Sequence, residues 1–259
     1  MRVLIGGILL PFVLLMALPA AAEPVRGVVG FAQDDLGNDW RRAQVREVRE
    51  VLDDHPGVKL RVTDARGQAA LQALHIERLA RSGVDVLITS PADARLLAPI
   101  VRRVHEAGTP VILLSRGVPG DTYTAFVHPD NRTITRRLAH FVIDRLAGEG
   151  RVLMLRGVPG ASTTEHRTQV FRRIAGKHPG IRITMRTGNY LRGDAIRAVE
   201  DVLASHDGGF PFDALYAQSD SMAVGARMAL RRAGIDPGGI LIAGIDYIGE
   251  AREAIRDGE

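Results

Sequence analysis

The sequence predicts an α/β protein made of two doubly wound, Rossmann-like parallel-sheet domains with a ligand cleft between them. Three observations carry that reading. Short runs rich in valine, isoleucine and leucine alternate with amphipathic stretches of helical period, so most strands are separated by a helix and must run parallel through right-handed crossovers. The alternation breaks once, near the middle, across a turn-rich stretch holding Gly117, Pro119 and Gly120. A second series then begins, and it opens as the first does: an apolar strand, a polar loop, then an arginine in the next helix.

Taken in order, residues 1–22 read as a secretory signal peptide: Arg2, an uncharged apolar run, then Ala20-Ala21-Ala22, with cleavage before Glu23. A membrane anchor is the competing reading, but the run falls short of the ~20 apolar residues of a span and Pro11 interrupts it. Export places the mature chain in the periplasm. The first domain, 23–129, alternates predicted strands at 27–32, 59–63, 84–89, 110–114 and 123–127 with helices at 40–54, 69–82 and 92–107. The second, 130–259, has helices at 131–148, 162–177, 192–205 and 219–233, and strands at 151–155, 181–185, 214–218 and 239–245. No low-complexity linker separates them, which favours a compact pair sharing a cleft.

Composition removes several function classes. The chain has 259 residues and no cysteine, which excludes a disulfide framework, thiol chemistry and Cys-based zinc sites. A net charge of +4 raises nucleic acid as a partner, but the arginines are spread along helices and mixed with acids, as on solvated faces, so no nucleic-acid partner is expected. Ser162 lacks a Gly-x-Ser-x-Gly elbow and an evident base, and no phosphate-binding Gly-x-x-x-x-Gly-Lys occurs, so no enzyme and no cofactor are expected. Asp34, Asp35 and Asp39 crowd one loop without calcium-loop spacing, and His128, His140 and His166 form no ligand-spaced cluster; no metal site is expected.

Ligands of parallel α/β sheets bind beyond the carboxyl ends of the strands. The loops there hold Gln33 through Arg41, Ser90-Pro-Ala-Asp93 and Ser115-Arg116 in the first domain. In the second they hold 157–167, Thr187 through Arg192, Gln218-Ser-Asp220-Ser and Gly244-Ile-Asp246-Tyr. An aromatic ring, several arginines, and a few carboxylates and hydroxyls suit a small polyhydroxylated ligand, stacked on Trp40 and gripped by guanidinium forks. Each residue also has a plainer role: Trp40 could cap the core, the arginines could be solvated helix charges, and Asp220 is expected as a helix N-cap.

In these residues the chain resembles type I periplasmic sugar-binding proteins of bacterial ABC importers, especially galactofuranose-binding and ribose-binding members. The motifs are Gly30-Phe-Ala-Gln33 with Trp40-Arg41, Pro110-Val-Ile-Leu-Leu-Ser-Arg116, Asp130-Asn131, Arg156-Gly-Val-Pro-Gly-Ala-Ser162 leading to Arg167 and Phe171, Ala217-Gln-Ser-Asp220-Ser-Met222 and Gly244-Ile-Asp246. The resemblance implies a sugar site formed by Gln33, Trp40, Arg41, Ser115 and Arg116 on one side and Arg167, Tyr190, Ser219 and Asp246 on the other. Two positions depart from the family pattern: Ser115 stands where an aspartate is usual, and Ser219 where an asparagine is usual. With three arginines counted against Asp246, the departures give weight to an anionic or smaller ligand.

The resemblance also implies that the C-terminal part of the fold, which returns to the first domain in the family, is missing after residues 244–259. The function implied is a monomeric periplasmic receptor that closes about a hinge on a sugar or sugar-like ligand and delivers it to an ABC permease. The alternative is a periplasmic sensor engaging a histidine kinase or chemoreceptor.

Overall fold

A computed structural model describes residues 26–206 and 210–258. The signal-peptide reading falls on residues 1–22, outside the described residues. Two all-parallel sheets organise the chain, one of five strands and one of four. The first has the order β2-β1-β3-β4-β5, from β1 (Gly27–Gln33), β2 (Val58–Asp64), β3 (Val86–Thr89), β4 (Val111–Leu114) and β5 (Ala125–Val127). Helices α1 (Asp39–Asp53), α2 (Ala69–Arg81) and α3 (Ala94–Glu106) cross between its first four strands. The second sheet, β7-β6-β8-β9, comprises β6 (Glu149–Arg156), β7 (Gly180–Thr187), β8 (Ala214–Ala217) and β9 (Leu241–Ala243). Around it lie α4 (Asn131–Arg145), α5 (Ser162–Ala175), α6 (Arg192–Ala204), α7 (Asp220–Arg232) and α8 (Gly249–Arg256).

The strand period of two divides each sheet into two cores. In β1, Phe31 turns to the α1 face with Val45 and Ile88, while Ala32 joins Ile76, Leu97, Val101 and Leu113 under α2 and α3. The second sheet repeats this design. Leu153 and Leu155 pack with Val199, Leu215 and Leu230 under α6 and α7. Val152 and Met154 pack with Ile143, Phe171 and Tyr216 under α4 and α5. There the Phe171 and Tyr216 rings stack at 4.6 Å between centroids and 20° between planes.

The break in the alternation is real and has a definite form. β4 and β5 pair in parallel with no helix between them, Ile112 opposite Ala125. The connection starts with Ser115 in the left-handed region at φ 69°, and the Arg116 N–H donates back to the Leu114 carbonyl at 2.8 Å. That is the rarer, positive-φ γ-turn, a strained shape for a residue with a side chain.

The helix starts show one difference from expectation. Asn38, Asp93 and Asp130 cap α1, α3 and α4 by accepting from the amides of Arg41, of Arg95 and Leu96, and of Thr133. At α7 the cap is Ser219, which accepts from Met222 N–H, and not Asp220. Asp220 instead lies in the first turn and its carboxylate accepts from Ile248 N–H at 3.2 Å. α8 was not expected from the sequence; it is short, and only Ala254 of it is buried. Among the described residues no helix is long and apolar enough to cross a membrane.

Candidate functional site

With every strand parallel, the loops at the carboxyl ends of both sheets face one another, and between them lies a cavity of about 240 Å³. It is smaller than the ~300–1,000 Å³ usual for drug-sized ligands, which points to something the size of a monosaccharide. The first-sheet wall carries Asn38, Trp40, Arg41, Ser115 and Arg116; the other carries Thr163, Arg167, Tyr190, Ser219 and Asp246, and Pro129, Ile134 and Ile245 supply apolar surface.

Arg41 sits in the first turn of α1 and is only 3% exposed. Its NH1 donates to Ser90 Oγ at 2.7 Å and Gln44 Oε1 at 2.9 Å, and its Nε lies 3.0 Å from Asp34 Oδ1. Burial, with the neighbouring Arg116 charge next in weight, lowers the Arg41 pKa to about 10. Arg116 is placed by the γ-turn after β4 and is 1% exposed. Its NH1 pairs with Asp34 Oδ2 at 2.5 Å, and its guanidinium lies 5.2 Å from the Tyr190 ring centroid, a cation–π contact between the two walls. Trp40, 37% exposed, stands at the rim.

On the second wall Arg167 projects from α5. Its Nε donates to Asn131 Oδ1 at 2.9 Å and its NH1 to the Gln218 carbonyl. Gln218 is itself fixed, its Nε2 donating to Thr168 Oγ1 at 2.8 Å and its Oε1 accepting from Gly157 N–H at 3.0 Å. Tyr190 has φ 63° and its hydroxyl accepts from Thr164 Oγ1 at 2.9 Å. The ring occupies the space over Gly157, where a Cβ would come within 2.0 Å of it, so this position has room only for glycine while Tyr190 holds its place. Asp246, at φ 122°, follows β9 and faces the cavity. Loss of solvent raises its carboxyl to about 7, against the opposing pull of Arg167 and Arg41. Burial likewise raises the pKa of Asp220 behind it.

The walls also touch directly. Thr163 Oγ1 donates to the Ser115 carbonyl at 3.1 Å, Gly117 N–H to Ser162 Oγ at 2.9 Å, and Ala94 N–H to the Gly160 carbonyl at 3.0 Å. Asp39 accepts from Ser221 Oγ at 3.2 Å and lies 3.5 Å from Arg192, which pairs with Glu250 at 2.8 Å.

Of the nine residues expected at the site, the structure brings eight to the cavity wall: Trp40, Arg41, Ser115, Arg116, Arg167, Tyr190, Ser219 and Asp246. Gln33 is not among them. It shares the α1 face of β1 with Phe31 and is fully buried, its Nε2 donating to Gln44 Oε1 at 3.1 Å, so it braces Arg41 through Gln44. Sequence reasoning missed Asn38 and Thr163 on the wall and Asp34 and Asn131 behind it. A cap pattern before Trp40 could have pointed to Asn38. Nothing local marks Asp34, whose partner Arg116 lies 82 residues on. Among the described residues no group of His, Asp or Glu is arranged to hold a metal ion.

Comparison with known proteins agrees with this architecture. A family model described as "periplasmic binding protein domain" matches residues 29–259. The ribose import binding protein of Bacillus subtilis (strain 168) is 30% identical over 201 residues, covering 78% of this chain and 64% of that protein. The chain thus spans under two thirds of that relative's length. The crystal structure of a galactofuranose binding protein superimposes with a TM-score of 0.84 at 26% identity, covering 90% of this chain and 80% of the other. The fructose binding periplasmic domain of a hybrid two component system does so with a TM-score of 0.80 at 29% identity, covering 90% and 77%.

Proposed function

Since the chain belongs to the periplasmic binding protein domain family, we propose that it is a monomeric receptor, exported by residues 1–22, that binds a monosaccharide or polyol and passes it to an ABC permease. The observation that carries this reading is the cavity itself: about 240 Å³, with forked donors on both walls and an aromatic rim. Arg41, Arg116 and Arg167 supply directional donors for hydroxyl oxygens, Asp246 and the serines accept or donate, and Trp40 offers a face to ring carbons. The proposed lobes, 23–129 and 130–259, close about the segment joining β5 to α4. A ligand touching both walls favours closure by the difference in its binding free energy between the open and shut forms.

A second reading, a sensor signalling to a histidine kinase or chemoreceptor, is favoured by the likeness to the periplasmic domain of a two component system. Both use the same cleft and differ in the partner that reads the shut form. Permease and ATPase genes beside this one would support transport; a kinase and regulator pair would support sensing.

A thermal-shift screen against sugars, sugar acids and polyols tests the receptor reading. A cavity ligand raises the melting temperature with concentration, because it binds the folded state alone. A panel without effect on either melting or Trp40 fluorescence would overturn it. Recovery of the chain in the periplasmic fraction, beginning at Glu23, tests export; uncleaved protein held in the inner membrane would refute it.

A further inference from the structure

The two arginines of the first wall share a carboxylate that does not line the cavity. Asp34 follows β1 and is 1% exposed. Its two oxygens lie 3.0 Å from Arg41 Nε and 2.5 Å from Arg116 NH1. These guanidiniums reach the same place from α1 and from the turn after β4. Two buried cations side by side are costly without a counter-charge in contact, and the fall of the Arg41 pKa to about 10 reflects that crowding after burial. Among the described residues, Asp34 is the only carboxylate within ion-pair distance of either. On the opposite wall Asp220 and Asp246 stand in the field of Arg167. The sequence-level count of three arginines against one carboxylate therefore omits the acid that matters most on the first wall.

We propose that Asp34 is a specificity-determining positioning residue: held behind Arg41 and Arg116, it fixes both and removes one unit of positive charge, so that the cavity ranks a neutral polyhydroxylated ligand above the corresponding acid. The inference rests on the receptor reading. It also accounts for Ser115: with a carboxylate already serving both guanidiniums from below, the position beside Arg116 can be uncharged.

The test is a set of calorimetric affinities for two neutral and acid pairs, D-ribose with D-ribonate and D-galactose with D-galactonate, on the purified protein and its variants. The wild type is expected to favour the neutral member of a pair that binds. Asp34→Asn keeps the side chain's size and removes its charge; the neutral-to-acid affinity ratio should move at least tenfold toward the acid. Adding Arg41→Gln removes a cation with its counter-ion and should return the ratio to within threefold of wild type, an outcome that lost packing would not produce. If Asp34→Asn alone does not fold, Arg41→Gln and the double variant carry the test: the single change should move the ratio tenfold toward the neutral ligand, and the double change should cancel that. Equal ratios in wild type and Asp34→Asn, or in Arg41→Gln and the double variant, would overturn the role of Asp34 while leaving the receptor reading intact. A wild type that binds neither member of either pair, and nothing in the wider screen, would overturn the receptor reading instead.

Discussion

On the first-sheet wall Arg41 and Arg116 share the carboxylate of Asp34, whereas on the second-sheet wall Arg167 is held by Asn131 Oδ1 and the Gln218 carbonyl, both neutral. The same side-chain type is therefore fixed in two ways. The first wall gains strong, close ion pairing but depends on every member being present, because a buried charge deprived of its partner is costly. The second wall orients its guanidinium by ordinary hydrogen bonds and leaves its charge to act on Asp246 of the same wall. Each guanidinium has fixed partners, but only on the first wall is a carboxylate among them within ion-pair distance.

The sharpest way to break this comparison is to remove one anchoring group from each wall and measure chemical denaturation. Asp34→Asn strands the Arg41 and Arg116 guanidiniums without a carboxylate and should cost about 3 kcal/mol or more, while Arg167→Met strands neutral acceptors and should cost about 1–3 kcal/mol. Equal losses would show that the Asp34 pairs are no more than neutral contacts. Next in size is the rim. Trp40→Ala should weaken a ligand found in the screen by about 2 kcal/mol, roughly thirtyfold, at nearly unchanged folding stability. Trp40→Phe should keep much of the affinity, and tight binding by the alanine variant would move the ring out of the site.

A titration sharpens the second wall. The Asp246 carboxyl is raised from 3.8 to about 7 by burial, so the folded form holds a proton that the unfolded form has lost. Its contribution to stability is complete below pH 3.8 and declines as pH rises toward 7. Asp246→Asn should flatten stability against pH across that window, and an unchanged slope would place the carboxyl in ordinary solvent. The smallest effect belongs to the partly exposed contact of Asp39 with Arg192. Asp39→Asn should change stability by about 0.2–1 kcal/mol and chiefly speed ligand release, measured by stopped-flow fluorescence; an unaltered release rate would remove Asp39 from the closing contacts.

Much of the fold was legible because parallel α/β units announce themselves by period. Runs such as Val111–Leu114 and Glu149–Arg156 contain the apolar blocks of strands buried on both faces, and the helices between them carry clear stripes. The ends were less legible: the strand expected at 84–89 forms only over Val86–Thr89, and that expected at 239–245 only over Leu241–Ala243. The candidate wall was legible where a loop must follow a strand, as at Arg116 and Asp246. Gln33, also expected there, is held off the cavity on the α1 face, where its side chain bonds Gln44. Asp34 was beyond reach, since its partners are set by tertiary approach and not by spacing.

The direct bonds between the walls, from Ala94 to Gly160, Gly117 to Ser162 and Thr163 to Ser115, have a further consequence. They link protein to protein, so under the proposed hinge closure they would favour the shut shape whether or not a guest is inside. A partner at the membrane that recognises that shape would then meet a standing background of shut but unloaded receptors. Its output would rise from a floor above zero, and the dynamic range of the system would be set as much by these few bonds as by the affinity for the guest.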